Sequence, residues 1–172
     1  MKRILLVGLA ASALAACETA GGPPAPPTPA YVPPGNEAFR DSDFAWSTAS
    51  GAGSISGVLA FRGPGGAYSC SDVILAPETP WSRARMRILY LSTTQAAMPV
   101  DEVKGRTPPE HSADYARYAR KATCDASGAF SFTGLPNGSW YVITVATPAS
   151  GSKMAVMRRV TTAGGPIRVT LR

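Results

Sequence analysis

A single histidine, His111, limits the chemistry that this 172-residue chain could perform. Catalytic zinc, copper and non-haem iron centres usually need two or more histidine ligands, so the sequence predicts none of them. A nucleophile also needs an oriented base beside it, and adjacency alone cannot align Ser112 with His111. The carboxylates of Asp41 and Asp43 lack the further oxygen ligands that a Ca²⁺ site requires. The sequence therefore predicts a protein that is not an enzyme and that holds no metal or cofactor.

Cys17 lies in a motif that predicts attachment of lipid. Lys2 and Arg3 precede an uncharged run, residues 4–16, which as a helix would span about 20 Å, short of the roughly 30 Å hydrocarbon core. The run ends in the sequence LAAC, which resembles the lipobox of bacterial lipoproteins. The resemblance implies a signal peptide over 1–16, acylation of Cys17 and attachment to a membrane. Glu18 in the next position favours the outer membrane, with the domain facing the periplasm. An ordinary secretory signal is the alternative.

Cys70 and Cys124 remain once Cys17 is assigned to lipid. An exported domain enters an oxidising compartment, so we predict a disulfide between them. It would close a loop of about 54 residues, worth roughly 4 kcal/mol by the chain-entropy estimate. A buried pair of thiols or a reactive thiol is the alternative.

The segment that follows the predicted anchor is rich in proline, with seven prolines between residues 21 and 36. Proline fixes φ and removes an N–H donor, so this segment favours the polyproline II conformation. We predict a linker over 17–52 that holds a folded domain away from the bilayer. A docking motif for a proline-binding partner is the alternative.

Residues 53–172 contain short apolar runs separated by turn residues. The runs at 140–147 and 167–171 alternate apolar side chains with a period of two, which is typical of strands. Asn137-Gly138 is a strong turn signal before the first of them. With 17 glycines and 16 prolines, the chain is too punctuated for a helical bundle. We predict an all-β fold, an antiparallel Greek-key sandwich of about seven strands.

The pattern over 123–143 is T-x-D-x-x-G-x-F-x-F followed by L-P-x-G-x-W-x-V. It resembles the carboxypeptidase regulatory-like domains, which have transthyretin-like (prealbumin-like) sandwich folds. Residues 53–61 and 72–77 resemble the first two strands of that group. The resemblance implies that Asp125 and Gly128 form a turn and that such a domain is mostly a non-catalytic module.

Residues 78–122 interrupt this pattern as an insertion much longer than an ordinary sandwich loop. Thr79 and Pro80 suit the N-cap and first position of a helix over 81–92, although the same residues also alternate like a strand. A second, alanine-rich helix is predicted over 110–122.

The net charge of the chain is +6 at pH 7, and without Lys2 and Arg3 of the predicted signal peptide it is +4, of which the insertion holds +3. Such a surface favours an anionic partner, while a merely solvated face is the alternative. The candidate binding residues are Arg83, Arg85, Arg87, Tyr115, Arg117, Tyr118 and Arg120.

These observations predict a non-catalytic, lipid-anchored module of the cell envelope with a structural or protein-binding role. Nucleic acid is not expected as a partner of an exported protein. The alternative is a module that binds a glycan, either peptidoglycan or lipopolysaccharide, through exposed Trp81, Trp140 or tyrosines that stack on sugar rings. Burial of Trp140 would exclude it from that role.

Overall fold

The computed structural model describes residues 37–63, 66–108 and 112–172. Every described residue belongs to one compact unit. The predicted signal peptide, Cys17, the proline-rich segment and His111 lie outside the described residues. Within the described ranges, no helix is both long enough and apolar enough to cross a membrane.

Strands dominate the described residues. The helices are α1 (Asp41–Phe44), α2 (Pro80–Tyr90), α3 (Val100–Gly105) and α4 (Ser112–Ala116), and a 3₁₀ turn covers Ala45–Thr48. The strands are β1 (Gly53–Leu59), β2 (Arg62–Gly63), β3 (Gly66–Ser69), β4 (Asp72–Pro77), β5 (Gln95–Pro99), β6 (Arg120–Thr123), β7 (Ala129–Leu135), β8 (Gly138–Pro148), β9 (Met154–Thr162) and β10 (Pro166–Leu171).

The strands form two sheets. The smaller sheet has the order β10-β1-β7, and the larger has β8 at its centre, between β4 and β9. β6 extends the larger sheet beyond β4, β5 extends it beyond β9, and β3 pairs with the C-terminal end of β8. The predicted all-β sandwich is confirmed, but with ten strands in the described residues instead of about seven. One pairing, β1 with β10, is parallel, so the sandwich is not wholly antiparallel.

The core of the sandwich lies between the two sheets. Ile55 and Leu171 of the smaller sheet and Val73 and Trp140 of the larger sheet are fully buried there. The register of the β1–β7 pairing is irregular between Gly53 and Ile55. A Cβ on Gly57 would lie only 2.3 Å from the Phe130 ring, so glycine makes room for a core aromatic side chain at this position.

The outer face of the larger sheet is covered by α2. Thr79 caps this helix through a reciprocal pair of hydrogen bonds with Ser82, and the predicted helix is confirmed over Pro80–Tyr90. Met86 and Leu89 of α2 pack with Tyr141 of β8 in a second apolar cluster. Because alternate side chains of a strand point to opposite faces, β8 contributes to both cores.

The insertion is an integral part of the fold. It contributes β5, which pairs with β9, and the start of β6, which pairs with β4. The predicted helix over 110–122 is wrong in its second half, because α4 ends at Ala116 and the chain enters β6 at Arg120. Pairing with β4 overrides the helical preference of this alanine-rich segment.

The folded domain also begins before the predicted boundary at residue 53. Phe44 is fully buried and stacks on Tyr118, with ring centroids 4.8 Å apart. Trp46 packs edge-on against Trp140 at 4.9 Å. A Cβ on Gly138 (φ 155°) would lie 2.2 Å from the Trp46 ring, so this glycine is needed for the contact. Part of the segment predicted as a linker therefore packs on the sandwich.

Candidate functional site

Three of the predicted binding residues hold the N-terminal segment on the domain. The Arg117 guanidinium and the Tyr118 hydroxyl, the latter at 3.0 Å, both donate to the carboxylate of Asp41. Arg120 donates to the carbonyl oxygen of Ser47 at 3.0 Å. These side chains are engaged within the fold, and Arg117 keeps 53% of its side chain exposed.

Two more predicted residues pack under the insertion. Arg85 lies over the Trp81 ring, 5.3 Å from its centroid, and partial burial lowers the pKa of its guanidinium. The Tyr115 hydroxyl is buried without a hydrogen-bond partner in the described part of the chain, and burial raises the pKa of this phenol. Arg87, by contrast, is exposed on the other side of α2.

Neither of the two tryptophans predicted as aromatic platforms is available to a ligand. Trp140 is 0% exposed, and its indole N–H donates to Thr162 Oγ1 at 3.1 Å inside the sandwich. Trp81 is only 8% exposed and packs among the aromatic rings under α2. The prediction that either tryptophan stacks on a sugar ring is therefore wrong.

Arg83, another of the predicted binding residues, belongs to a charged site built around a buried carboxylate. Glu78 lies between the end of β4 and the N-cap of α2, and its side chain is only 3% exposed. Its Oε1 accepts hydrogen bonds from Arg83 Nε at 2.8 Å and from the Tyr141 hydroxyl at 3.2 Å. Its Oε2 accepts from Arg159 Nε at 2.6 Å. The carboxylate therefore joins α2 to β8 and β9.

The charge states within this site follow from its hydrogen bonds. Burial alone would raise the pKa of Glu78, but the hydrogen bonds and charges of Arg159 and Arg83 outweigh it and hold that pKa below its ordinary value. Burial and the neighbouring carboxylate raise the pKa of Tyr141 to about 12. At neutral pH the site thus contains one carboxylate, two guanidinium groups and a neutral phenol.

The two guanidinium groups line a pocket of about 280 Å³, which we call the Glu78 pocket. Its lining residues are Glu78, Arg83, Thr93, Thr94 and Arg159. The side chains of Arg83 and Arg159 are 52% and 36% exposed, so their outer edges reach solvent. Leu91 closes α2 in the left-handed conformation (φ 53°), which is uncommon for a residue with a side chain, and this turn directs the chain towards Thr93 and Thr94.

A larger pocket of about 570 Å³ lies beside the disulfide between Cys70 and Cys124. The predicted disulfide is thus present. Asp125 in this pocket accepts hydrogen bonds through Oδ1 from the Ser127 N–H and hydroxyl and from the Ala129 N–H, as expected of a turn residue. This carboxylate serves the turn and the pocket has no guanidinium group, so we favour the Glu78 pocket as the functional site.

Of the residues that line the Glu78 pocket, only Arg83 was predicted from the sequence as a binding residue. Two features of the sequence indicate the partners of Arg83, which are Glu78 and Arg159. Arg158-Arg159 interrupts the otherwise apolar strand β9, and Glu78 stands between an apolar strand and a helix cap. A charged residue in such a place is usually paired within the fold.

Comparison with known proteins identifies the fold. No family model matches the chain, and no curated protein matches it. Among solved structures, the chain is similar to a proposed carbohydrate-binding protein from Pseudomonas aeruginosa, with a TM-score of 0.56. The two share 23% sequence identity, and the match covers 78% of this chain and 97% of the other. At this identity, the likeness shows a shared fold and nothing more.

Proposed function

We propose that this chain is a non-catalytic carbohydrate-binding module of the bacterial cell envelope and that the Glu78 pocket is its binding site. The observation that carries the proposal is the pair of guanidinium groups held in place by one buried carboxylate. Sugar hydroxyls both donate and accept hydrogen bonds, and the pocket offers guanidinium donors beside threonine hydroxyls. Because Glu78 already orders both arginines, little side-chain entropy remains to be lost on binding.

One further point supports a carbohydrate ligand. The Pseudomonas protein that shares the fold is itself a proposed carbohydrate-binding protein.

A glycan array tests this function. We expect the full chain, purified in detergent, to bind at least one class of bacterial envelope polysaccharide, and we expect Thr93→Val to weaken that binding by about tenfold or less, the usual effect of losing one neutral hydrogen bond. Exposed Thr48 lies outside the pocket, so Thr48→Val is the matched control. If no neutral or acidic glycan binds to the wild-type protein, the proposed function is wrong.

The same proposal places the module on the periplasmic face of the outer membrane, held by lipid on Cys17. We expect Cys17→Ser to release the protein into the soluble fraction and to prevent incorporation of a labelled fatty acid, because serine lacks the thiol that is acylated and several acyl chains hold a protein on a bilayer far more firmly than one. Cell fractionation with Cys70 and Cys124 left intact measures this. A Cys17→Ser protein that stays in the membrane and still takes up label would contradict the lipid anchor.

A further inference from the structure

We infer that the Glu78 pocket selects an acidic glycan and binds the carboxylate of a uronic acid residue between Arg83 and Arg159. The inference rests on the proposed carbohydrate-binding function and names the class of ligand. It follows from the hydrogen bonds that the two arginines have already made, from the exposure that both keep, and from the charge of the site.

Each arginine uses only part of its guanidinium group within the fold. Arg83 and Arg159 both contact Glu78 through Nε. One terminal nitrogen of Arg159 also donates to Ser139 Oγ at 3.0 Å. The backbone N–H of Arg159 donates to the Thr94 carbonyl at 2.7 Å. Arg83 also interacts with the Tyr141 hydroxyl, and 52% of its side chain remains exposed. The internal bonds therefore fix the position of each guanidinium, and both part-exposed groups still line the pocket.

Guanidinium groups fit a carboxylate better than a neutral sugar hydroxyl. A carboxylate accepts two parallel N–H bonds from one guanidinium, and charge-assisted bonds of this kind are about twice as strong as neutral ones. The Thr93 and Thr94 side chains line the same pocket and supply hydroxyls for the neutral part of a sugar ring. The pocket thus combines an anion site with neighbouring partners for hydroxyl groups.

The charge of the site favours an anion with a single negative charge. Two guanidinium groups and one carboxylate leave an excess of one positive charge, and Tyr141 adds none because its phenol stays protonated. A uronate carboxylate neutralises this excess. A phosphate monoester, which carries about 1.5 to 2 negative charges at pH 7, would leave the pocket with net negative charge against buried Glu78.

Calorimetric titration of the full chain with three probes tests the inference. The probes are an oligogalacturonate, the same oligosaccharide with its carboxylates methyl-esterified, and a glycerol phosphate polymer joined by phosphodiesters. We expect the oligogalacturonate to bind about tenfold or more tightly than the ester, because esterification removes the charged acceptor but keeps the sugar hydroxyls. We also expect affinity for the oligogalacturonate to fall with added salt.

Variants assign this binding to the pocket. Arg83→Gln leaves Glu78 paired with Arg159 and is expected to weaken oligogalacturonate binding by about tenfold or more. Arg87→Gln is the matched control, because Arg87 lies one turn after Arg83 on α2 and carries the same charge but does not line the pocket. Thr93→Val, which leaves every charge of the pocket in place, gives a second measurement should Arg83→Gln unfold.

The outcomes separate this inference from the function on which it rests. Equal binding of the acid and its ester would overturn the inference and leave carbohydrate binding in place. Tighter binding of the phosphodiester polymer would overturn the choice of a carboxylate. If Arg87→Gln weakens binding as much as Arg83→Gln does, the attraction comes from the basic surface and the pocket is not the site. Binding of no probe overturns the inference, whereas the proposed function fails only if every array glycan also fails to bind.

Discussion

Replacing Cys70 and Cys124 together with serine is expected to lower the free energy of unfolding by about 4 kcal/mol. The disulfide joins Cα atoms 5.8 Å apart and links positions separated by 54 residues in sequence. It lies beside the antiparallel pairing of β4 and β6, in which Asp72 faces Thr123. Since backbone hydrogen bonds already hold these strands together, the loss comes mainly from the greater entropy of the unfolded chain. Urea unfolding of the wild type and the double variant at the same pH measures it.

Wild-type protein unfolded in the presence of a reductant is the control for this experiment. It should lose about as much stability as the double variant, since both remove the same crosslink from the unfolded state. A loss below about 1 kcal/mol would show that the crosslink contributes little. Alkylation of both thiols in protein isolated without reductant would show that the disulfide does not form.

The sandwich could be predicted because the apolar residues of its central strands alternate in the sequence with the period of a strand. The alternation over 140–147 places Trp140 and Val142 in one core and Tyr141 in the other, and the Asn137-Gly138 turn sets where β8 begins. β6 could not be predicted in this way. Its sequence is that of a helix, and it becomes a strand only because the edge of β4 is available for pairing, which depends on tertiary structure.

The predicted helix α2 does not present all three of its arginines on one surface. Residues two apart on a helix do not share a face, whereas residues four apart do. Arg83 and Arg87 are accordingly both exposed, while Arg85 lies over the Trp81 ring. The helical spacing was therefore enough to reject a single surface formed by all three.

The Glu78 pocket itself lay beyond the reach of sequence analysis. Arg83 is five residues from Glu78, but Arg159 is 81 residues away. Only the pairing of β8 with β9, together with the position of α2 across the sheet, brings the second guanidinium to the carboxylate. A single sequence contains no signal for a contact of that separation.

Glu78→Gln is expected to lower the free energy of unfolding by about 2–3 kcal/mol at pH 7. Breaking a fully buried ion pair usually costs about 3–5 kcal/mol. The loss here should be smaller, because Arg83 and Arg159 are 52% and 36% exposed and water can solvate them once the carboxylate is gone. Exposed Glu102 of α3 pairs with Arg106, the residue that follows this helix. It supplies the control Glu102→Gln, expected to change stability by at most about 0.5 kcal/mol.

The pH dependence distinguishes loss of this charge from a general loss of packing. The pKa of Glu78 is lower in the folded protein than its ordinary value of 4.5, so its stabilising effect is present above pH 4.5 and disappears as the pH falls through the folded pKa. The difference in stability between wild type and Glu78→Gln should therefore be constant from pH 7 to about pH 5 and shrink in more acidic solution. Denaturant unfolding of both proteins across this range measures it. A difference that stays the same at every pH would mean that the carboxylate charge is not what holds α2 to β8 and β9.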